Sequence, residues 1–351
     1  MAGGIGSRFW PMSRTNYPKQ FLDILNTGKT LIQWTFERFA PFIPLENIYV
    51  VTSQEYTSIV AEQLPEIPYK NILGEPSRKN TAPCIAYISF KLYQKDPKAS
   101  LIVAPADHII LDNKGFNKVC VEALSFVNKY NAFITLGIKP TYPNTGYGYI
   151  QYEQHAIMDS VYKVKTFTEK PNLELAKTFI TSGEFLWNAG IFVWQVKNIL
   201  TAFEKYLPEM YELFASEMDK FNTDEEEESL KEIYPLCTNI SIDFGIMEKA
   251  DNVYVIPSSF GWSDLGTWNS AYENLEKDHL GNAIAGDNVL IVDATRCIVH
   301  APKEKLMVLQ GLDDFILVDT NDVLLVCKKD KEQEIKEYVT EVKRNKGDKF
   351  L

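Results

Sequence analysis

Glycines and cations crowd the start of this chain. Gly3-Gly4-Ile5-Gly6-Ser7-Arg8 is followed by Pro18-Lys19, and the first acidic residue is Asp23. Glycine lets backbone N–H groups come close to phosphate oxygens, and a turn with positive φ forms a concave anion nest. Arg8 and Lys19 would neutralise the charge of a triphosphate and of the pyrophosphate that leaves it. Gly3, Gly4, Gly6 and Ser7 are therefore candidate nucleotide-binding residues. An ordinary glycine turn beside a surface ion pair has the same spelling. A dinucleotide fingerprint requires a further glycine where Phe9 stands, and the Gly-Lys-Ser/Thr of a P-loop is missing.

Two further sets of side chains could do chemistry. Asp107 follows the apolar run Leu101 to Ala104, and Asp264 follows Val253 to Ile256 and a short loop. Magnesium takes hard oxygen ligands, usually one or two carboxylates plus substrate phosphates. A lone loop aspartate is also a common turn or helix cap. Glu169 offers an acceptor for hydroxyls and Lys170 a cation for a phosphate, although an exposed strand-end ion pair looks the same and contributes little. Asn80 and Thr81 can meet a purine edge, and Thr81 can equally cap the helix that follows. Asp243-Phe244-Gly245 spells a kinase triplet, but no His-Arg-Asp catalytic loop precedes it.

The elements that must position these groups alternate. Leu31, Trp34, Phe39 and Phe42 lie near one helical face, and Ile48 to Val51 reads as a buried strand. Ile85, Ile88 and Leu92 are helical again, and Leu101 to Ala104 is the next strand. Phe116, Val119, Cys120, Ala123, Leu124 and Val127 form the cleanest amphipathic stripe, before a strand at 132–137. This texture predicts an α/β domain: a Rossmann-like mixed, mostly parallel sheet flanked by helices, with ligands beyond the strands' carboxyl ends. Residues 145–194 are strand-rich around a helix at 173–181. Residues 196–250 read as helices, and the acidic run 224–228 as a solvated face. From about residue 280, short strands broken by Asp, Asn, Gly and Lys predict a small all-β, β-helix-like domain. The expected division is 1–275 catalytic, 281–330 β-rich, and 331–351 a closing helix and tail.

Composition narrows the function classes. The formal net charge is −11 over 351 residues, which disfavours nucleic acid and anionic membranes as partners. The N-terminus lacks an apolar signal region and no apolar run reaches spanning length, so the expected location is the cytoplasm. Five widely spaced cysteines include no metal-ligand pair and read as reduced, mostly buried thiols.

Gly-Gly-x-Gly-x-Arg…Pro-Lys resembles the signature of the sugar-1-phosphate nucleotidylyltransferases. Phe9-Trp10-Pro11-Met12-Ser13-Arg14 and Pro18-Lys19-Gln20-Phe21 are similar to its mannose-1-phosphate guanylyltransferase branch. Glu75 to Pro83, Pro105 to His108, Asn144 to Ile150, Phe167 to Pro171, Trp187 to Phe192 and Gly261 to Trp268 follow in the family's order.

The resemblance implies transfer of GMP from GTP to α-D-mannose 1-phosphate, giving GDP-mannose and pyrophosphate. It implies Mg2+ on Asp107 and Asp264, catalytic roles for Arg8, Lys19 and Asp107, and a base pocket around Glu75, Asn80 and Thr81. Gly148, Glu169, Lys170 and Asn188 would bind the sugar phosphate. It also implies a buried mid-sheet strand ahead of the glycine loop. With the sequence starting at Met1, two strand edges and part of the core are expected to lie open. A homodimer and a monomer both remain open. So do another NTP and sugar 1-phosphate pair, and a non-catalytic regulator that senses sugar nucleotides. The usual mark of a regulator would be loss of the loop Arg, the Lys or a metal Asp, and all are present.

Overall fold

The computed structural model describes residues 1–4 and 6–351. Its helices form where the apolar periodicity places them. Helix α1 (Leu31–Phe39) starts in a capping box at Thr30 and Gln33. Strand β1 (Val50–Ser53) pairs in parallel with β2 (Ile72–Glu75), and α2 (Thr57–Gln63) joins them. Helix α3 (Thr81–Lys95) is capped by the Asn80 side chain and buries nearly every residue from Ala82 to Lys91, so it runs through the core. Strand β3 (Ser100–Val103) and the short β4 (Ile109–Ile110) lead into α4 (Asn113–Val127), which Asp112 caps through Gly115 N–H. Phe116, Cys120, Ala123 and Val127 face the sheet from α4.

The main sheet runs in the order β3-β8-β5-β9-β7-β6. Its strands are β5 (Phe133–Ile138), β6 (Gly148–Met158), β7 (Val161–Glu169), β8 (Phe185–Gln195) and β9 (Val253–Ser258), with α5 (Leu173–Ser182) between β7 and β8. The mixed α/β class is as expected, but the pairing is more antiparallel than "mostly parallel". Strands β3, β5, β6 and β9 run one way and β7 and β8 the other, so only β5–β9 is a parallel pair in this sheet. An apolar run buried on both faces looks the same whichever direction its neighbour takes.

Helices α6 (Val196–Tyr206), α7 (Pro208–Ser216) and α8 (Glu226–Ile233) cover one side. A π-helical turn at Asp243–Met247 returns the chain to β9. The acidic run is solvated except at Glu226, whose carboxylate accepts from Tyr87 Oη and Lys91 Nζ of α3. Short β10 (Trp262–Ser263) pairs with β4, and α9 (Trp268–Asn274) follows.

The C-terminal strands stack as parallel coils. Strands β11 (Ala283–Ala285), β13 (Ile298–His300) and β15 (Phe315–Asp319) pair in parallel, as do β12 (Val289–Val292) and β14 (Met307–Gln310). Strand β16 (Leu324–Lys328) closes antiparallel on β15. Helix α10 (Ile335–Lys346) then turns back toward the glycine loop. One apolar cluster joins Phe9, Trp10 and Trp268 to Ile298, Ile316, Val318 and Ile335, so the loop's own aromatics anchor the β-helical part. All five cysteines are buried and free. Among the described residues no helix is long and apolar enough to cross a membrane.

Strands β1 and β3 do not pair. Met1 and Ala2 bridge them at one end, with Met1 N donating to Ala104 O at 2.9 Å and Ala2 N to Val51 O at 2.8 Å. Beside them lies a cavity of about 480 Å³, walled by Val50, Val51, Ile85, Ile88, Leu101 and Val103 among others.

Candidate active site

The glycine turn is shaped around Lys19. Gly6 has φ +65°, and a Cβ there would lie 2.3 Å from the Lys19 Cβ, so position 6 needs glycine for both its backbone and its neighbour. A single 3-10 turn, Ser7–Phe9, follows, and Ser13 Oγ ties the turn by donating to Gly6 O at 2.6 Å. A Cβ at Gly4 would meet nothing within 4 Å, and at Gly3 the nearest atom would be Glu75 Oε2 at 3.4 Å.

Lys19 is 4% exposed. Its Nζ lies 3.0 Å from Asp107 Oδ2 and donates to the Asp264 carbonyl at 2.7 Å, so one cation joins the loops after β3 and β10. Burial pushes the Asp107 carboxyl up, but Lys19 and then His108 outweigh it and hold its pKa below the ordinary value. Burial lowers the His108 pKa against the pull of Asp107. With Trp262 Nε1 donating to His108 Nδ1 at 3.2 Å, the ring is a neutral imidazole carrying its proton on Nε2.

Asp264 Oδ1 accepts from Tyr147 Oη at 2.6 Å and from Gly266 N–H at 3.0 Å. The Tyr147 phenol has its pKa raised by burial and by Asp264, so it stays a donor. Gly6, Ser7, Arg8, Phe9, Lys19, Asp107, His108, Asp264, Gly266 and Lys336 line a pocket of about 240 Å³. Arg8 Nε is buried there without a hydrogen-bond partner.

These groups suit a hard divalent cation. Among the described residues, the ion-pair partner of Asp107 Oδ1 is His108 Nε2, at 3.9 Å, and the hydrogen bonds to the Asp264 carboxylate go to Oδ1, which leaves Oδ2. Two carboxylates face one pocket beside the cations Arg8 and Lys19. That is the donor set of an ion that completes its shell with substrate phosphate and water. Among the described residues no group of three or more His, Cys, Asp and Glu forms a self-sufficient metal site.

The residues expected at the base lie behind the glycine turn, outside the 240 Å³ pocket. Glu75 ends β2, 7% exposed, and accepts from Tyr234 Oη. Burial pushes its pKa up to about 7, against that hydrogen bond and the nearby N-terminus. Asn80 has φ +70° and caps α3 through Thr81 N–H at 2.9 Å. Thr81 Oγ1 accepts from Ile242 N–H at 2.9 Å, which pins the segment before the π turn to the start of α3.

The residues expected at the sugar form a separate cluster on the main sheet. Gly148 pairs with Glu169 across β6 and β7, and a Cβ at Gly148 would stand 2.5 Å from Glu169 Oε2 and 3.3 Å from Asn188 Cβ. Lys170 lies 3.0 Å from Glu169 and is mostly exposed. Asn188 on β8 is fixed at both ends of its amide. Its Oδ1 accepts from Thr135 Oγ1 at 2.9 Å, and its Nδ2 donates to Asp243 Oδ1 at 2.9 Å. Burial, with Glu169 nearby, pushes the Asp243 pKa up to about 6. The kinase-like triplet thus supplies the carboxylate that orients Asn188, a contact that only the π turn creates. Residue order alone assigned no role to Tyr147 or Lys336. Tyr147 lies inside a glycine motif, whereas nothing in the spelling of α10 distinguishes Lys336 from other helix-surface lysines.

Residues 1–280 match the Nucleotidyl transferase family. The chain belongs to that family. Residues 287–342 match the MannoseP isomerase/GMP-like beta-helix domain. A mannose-1-phosphate guanylyltransferase of Salmonella montevideo is 37% identical over 351 residues, covering 98% of this chain and 73% of that protein. The alginate biosynthesis protein AlgA of Pseudomonas putida is 36% identical over 344 residues, covering 97% and 70%. A crystal structure from Thermus thermophilus, described as a mannose-1-phosphate geranyltransferase, superposes with a TM-score of 0.88 at 30% identity and covers 98% of each chain. This chain is therefore a nucleotidyltransferase with a mixed α/β core and a C-terminal β-helical part. Enzymes of the family generally use a divalent metal.

Proposed function

We propose that this chain transfers GMP from GTP to α-D-mannose 1-phosphate, giving GDP-mannose and pyrophosphate. The observation that carries this reading is Lys19, buried between Asp107 and the Asp264 carbonyl on the wall of a pocket shared with the glycine turn and Arg8. The name of the Salmonella montevideo relative, 37% identical over 98% of this chain, supports the choice of a guanylyl donor and mannose 1-phosphate. The catalytic unit is taken as 1–275, the β-rich unit as 281–330, and the closing helix and tail as 331–351.

An oxygen of the sugar phosphate attacks the α-phosphorus while the bond to the α–β bridging oxygen breaks in line, and its electron pair leaves with pyrophosphate. Catalysis here is positioning and charge neutralisation. Lys19 and Arg8 stabilise charge on the departing side. The nest of N–H groups around Gly6 and Ser7 holds the phosphate chain. Glu75, Asn80 and Thr81 face the base. The Gly148 backbone, Glu169 and Asn188 orient the sugar, and Lys170 meets its phosphate. Asp107 and Asp264 would hold Mg2+, which supplies charge screening between the two phosphate groups.

Pyrophosphate release tests this reading. It should require GTP, mannose 1-phosphate and Mg2+ together, and fall to background in Asp107→Asn. A folded protein silent with that trio but active with another nucleotide or sugar 1-phosphate would move the assignment within the family. Silence across the whole panel would favour a sensing role.

A further inference from the structure

We propose that Lys336, on the C-terminal helix, is a phosphate ligand of this site that grips the outer phosphates of the nucleoside triphosphate and the pyrophosphate formed from them. The proposal deepens the nucleotidyl-transfer reading and rests on it.

Lys336 lies one residue after Ile335, which is fully buried in the cluster shared with Phe9 and Trp268. That anchor aims the next side chain at the 240 Å³ pocket, which Lys336 lines together with Arg8, Lys19 and the two aspartates. The end of the chain holds the loop in place from the other side. Trp10 Nε1 donates to Phe350 O at 2.8 Å, Arg14 Nη1 to the same carbonyl at 2.5 Å, and Arg14 Nη2 to Asp322 Oδ1 at 2.7 Å. Helix α10 thus lines the pocket, tied to Phe9 through Ile335 and, by the turn that follows the helix, to Trp10 and Arg14 through Phe350.

The charges there are unbalanced. Lys19 and Lys170 have carboxylate partners, Asp107 and Glu169. Among the described residues neither Arg8 nor Lys336 has one within 4.0 Å, and the buried Arg8 Nε has no partner at all. Arg8 is the largest influence lowering the Lys336 pKa, followed by burial and then Lys170. Unpaired cations brought together by the fold repel one another unless an anion sits between them. Lys336 shares its pocket with Gly6, Ser7, Arg8 and Lys19, and Gly148, Glu169 and Asn188 are not on that wall, so Lys336 sits on the leaving-group side and not over the sugar cluster. A divalent cation on the aspartates and three cations around the outer phosphates would match the charge that develops as pyrophosphate departs.

The experiment compares wild type, Lys336→Ala and Lys336→Arg in the reverse direction, pyrophosphate plus GDP-mannose, with calorimetric binding of Mg-pyrophosphate alone. Loss of one charge-assisted contact should raise the KM for pyrophosphate by about tenfold or more in Lys336→Ala. GDP-mannose binding should stay within about twofold, because that ligand has no leaving pyrophosphate. Lys336→Arg should restore most of the pyrophosphate affinity. A merely structural role for α10 would weaken both ligands alike or lower the unfolding midpoint. An unchanged KM for pyrophosphate, an equal loss for both ligands, or no pyrophosphate binding by wild type overturns the proposal. Failure of the transfer reading looks different: wild type would bind Mg-pyrophosphate in a Lys336-dependent way yet turn over no GDP-mannose.

Discussion

Replacing Lys19 by methionine keeps the side chain's bulk and removes its charge. The ammonium it deletes is 4% exposed, lies 3.0 Å from Asp107 Oδ2 and donates to the Asp264 carbonyl at 2.7 Å. Removing one partner of a fully buried pair costs about 3–5 kcal/mol, chiefly because the other charge is left uncompensated. The Asp107 side chain is 31% exposed, so water offsets part of that cost and about 1–3 kcal/mol is expected. Lys19 and Arg8 offset the charges of Asp107 and Asp264 on this pocket wall, and losing such a transition-state donor typically lowers turnover by ~10²–10³-fold. Denaturant unfolding and steady-state pyrophosphate release separate the two effects. The double variant Lys19→Met/Asp107→Asn should regain most of the lost stability, since no charge is then stranded, while activity stays at background. The pH dependence carries a sign. The Asp107 pKa is below its ordinary 3.8 in the folded protein, so the pair stabilises above that value and its contribution fades as pH falls through the folded pKa. The gap between wild type and Lys19→Met should therefore be widest near neutrality and narrow in acid. Turnover within about threefold of wild type in Lys19→Met would refute the assigned role, and a double variant no more stable than the single one would refute the charge argument.

Gly6→Ala must take φ +65° with a Cβ 2.3 Å from that of Lys19. It should lose about 1–3 kcal/mol of stability and displace Lys19, so activity should fall further than stability does; an active, equally stable variant would show that the turn is not built around this contact. Asp243→Asn keeps an acceptor for Asn188 Nδ2 and removes a carboxyl whose pKa rises from 3.8 to about 6 on folding. A raised carboxyl pKa means wild type loses stability as pH climbs from about 4 through 6, by ~3 kcal/mol at most, so the variant should match wild type near pH 4 and exceed it near pH 8. Equal stability differences at both pH values would contradict this. An apolar, β-branched segment of about six residues placed ahead of Met1 should enter the 480 Å³ cavity between β1 and β3 and raise stability by at least ~2 kcal/mol. A segment of the same length made of lysine and glutamate should not, and the idea fails if both shift the denaturant midpoint alike.

Much of this molecule was legible from residue order. The stripe on α4, the apolar runs that became β3 and β5, and the short strands after residue 280 are local patterns, because side-chain periodicity follows backbone geometry over a few residues. The glycine turn was legible for the same reason: the Gly6 backbone needs a residue without Cβ, and the composition says so. Pairing was not. The apolar run of β8 carries no mark that it lies antiparallel between β3 and β5, since burial on both faces erases the alternation that would show a partner. Charge environment was not legible either. Glu75 and Asp243 are ordinary acids on paper, and their raised pKa values arise from burial, with Glu169 adding to it at Asp243 and the hydrogen bonds from Tyr234 and Asn188 opposing it, all residues far away along the chain. Lys336 is the extreme case, since only the packing of Ile335 against Phe9 and Trp268 brings it to the pocket of Arg8 and Lys19. The sequence by itself determined most of the elements, the need for glycine in the turn at Gly6, and the family. Tertiary structure decided which distant side chains share a dielectric and a field, because those quantities depend on distance in space and not along the chain.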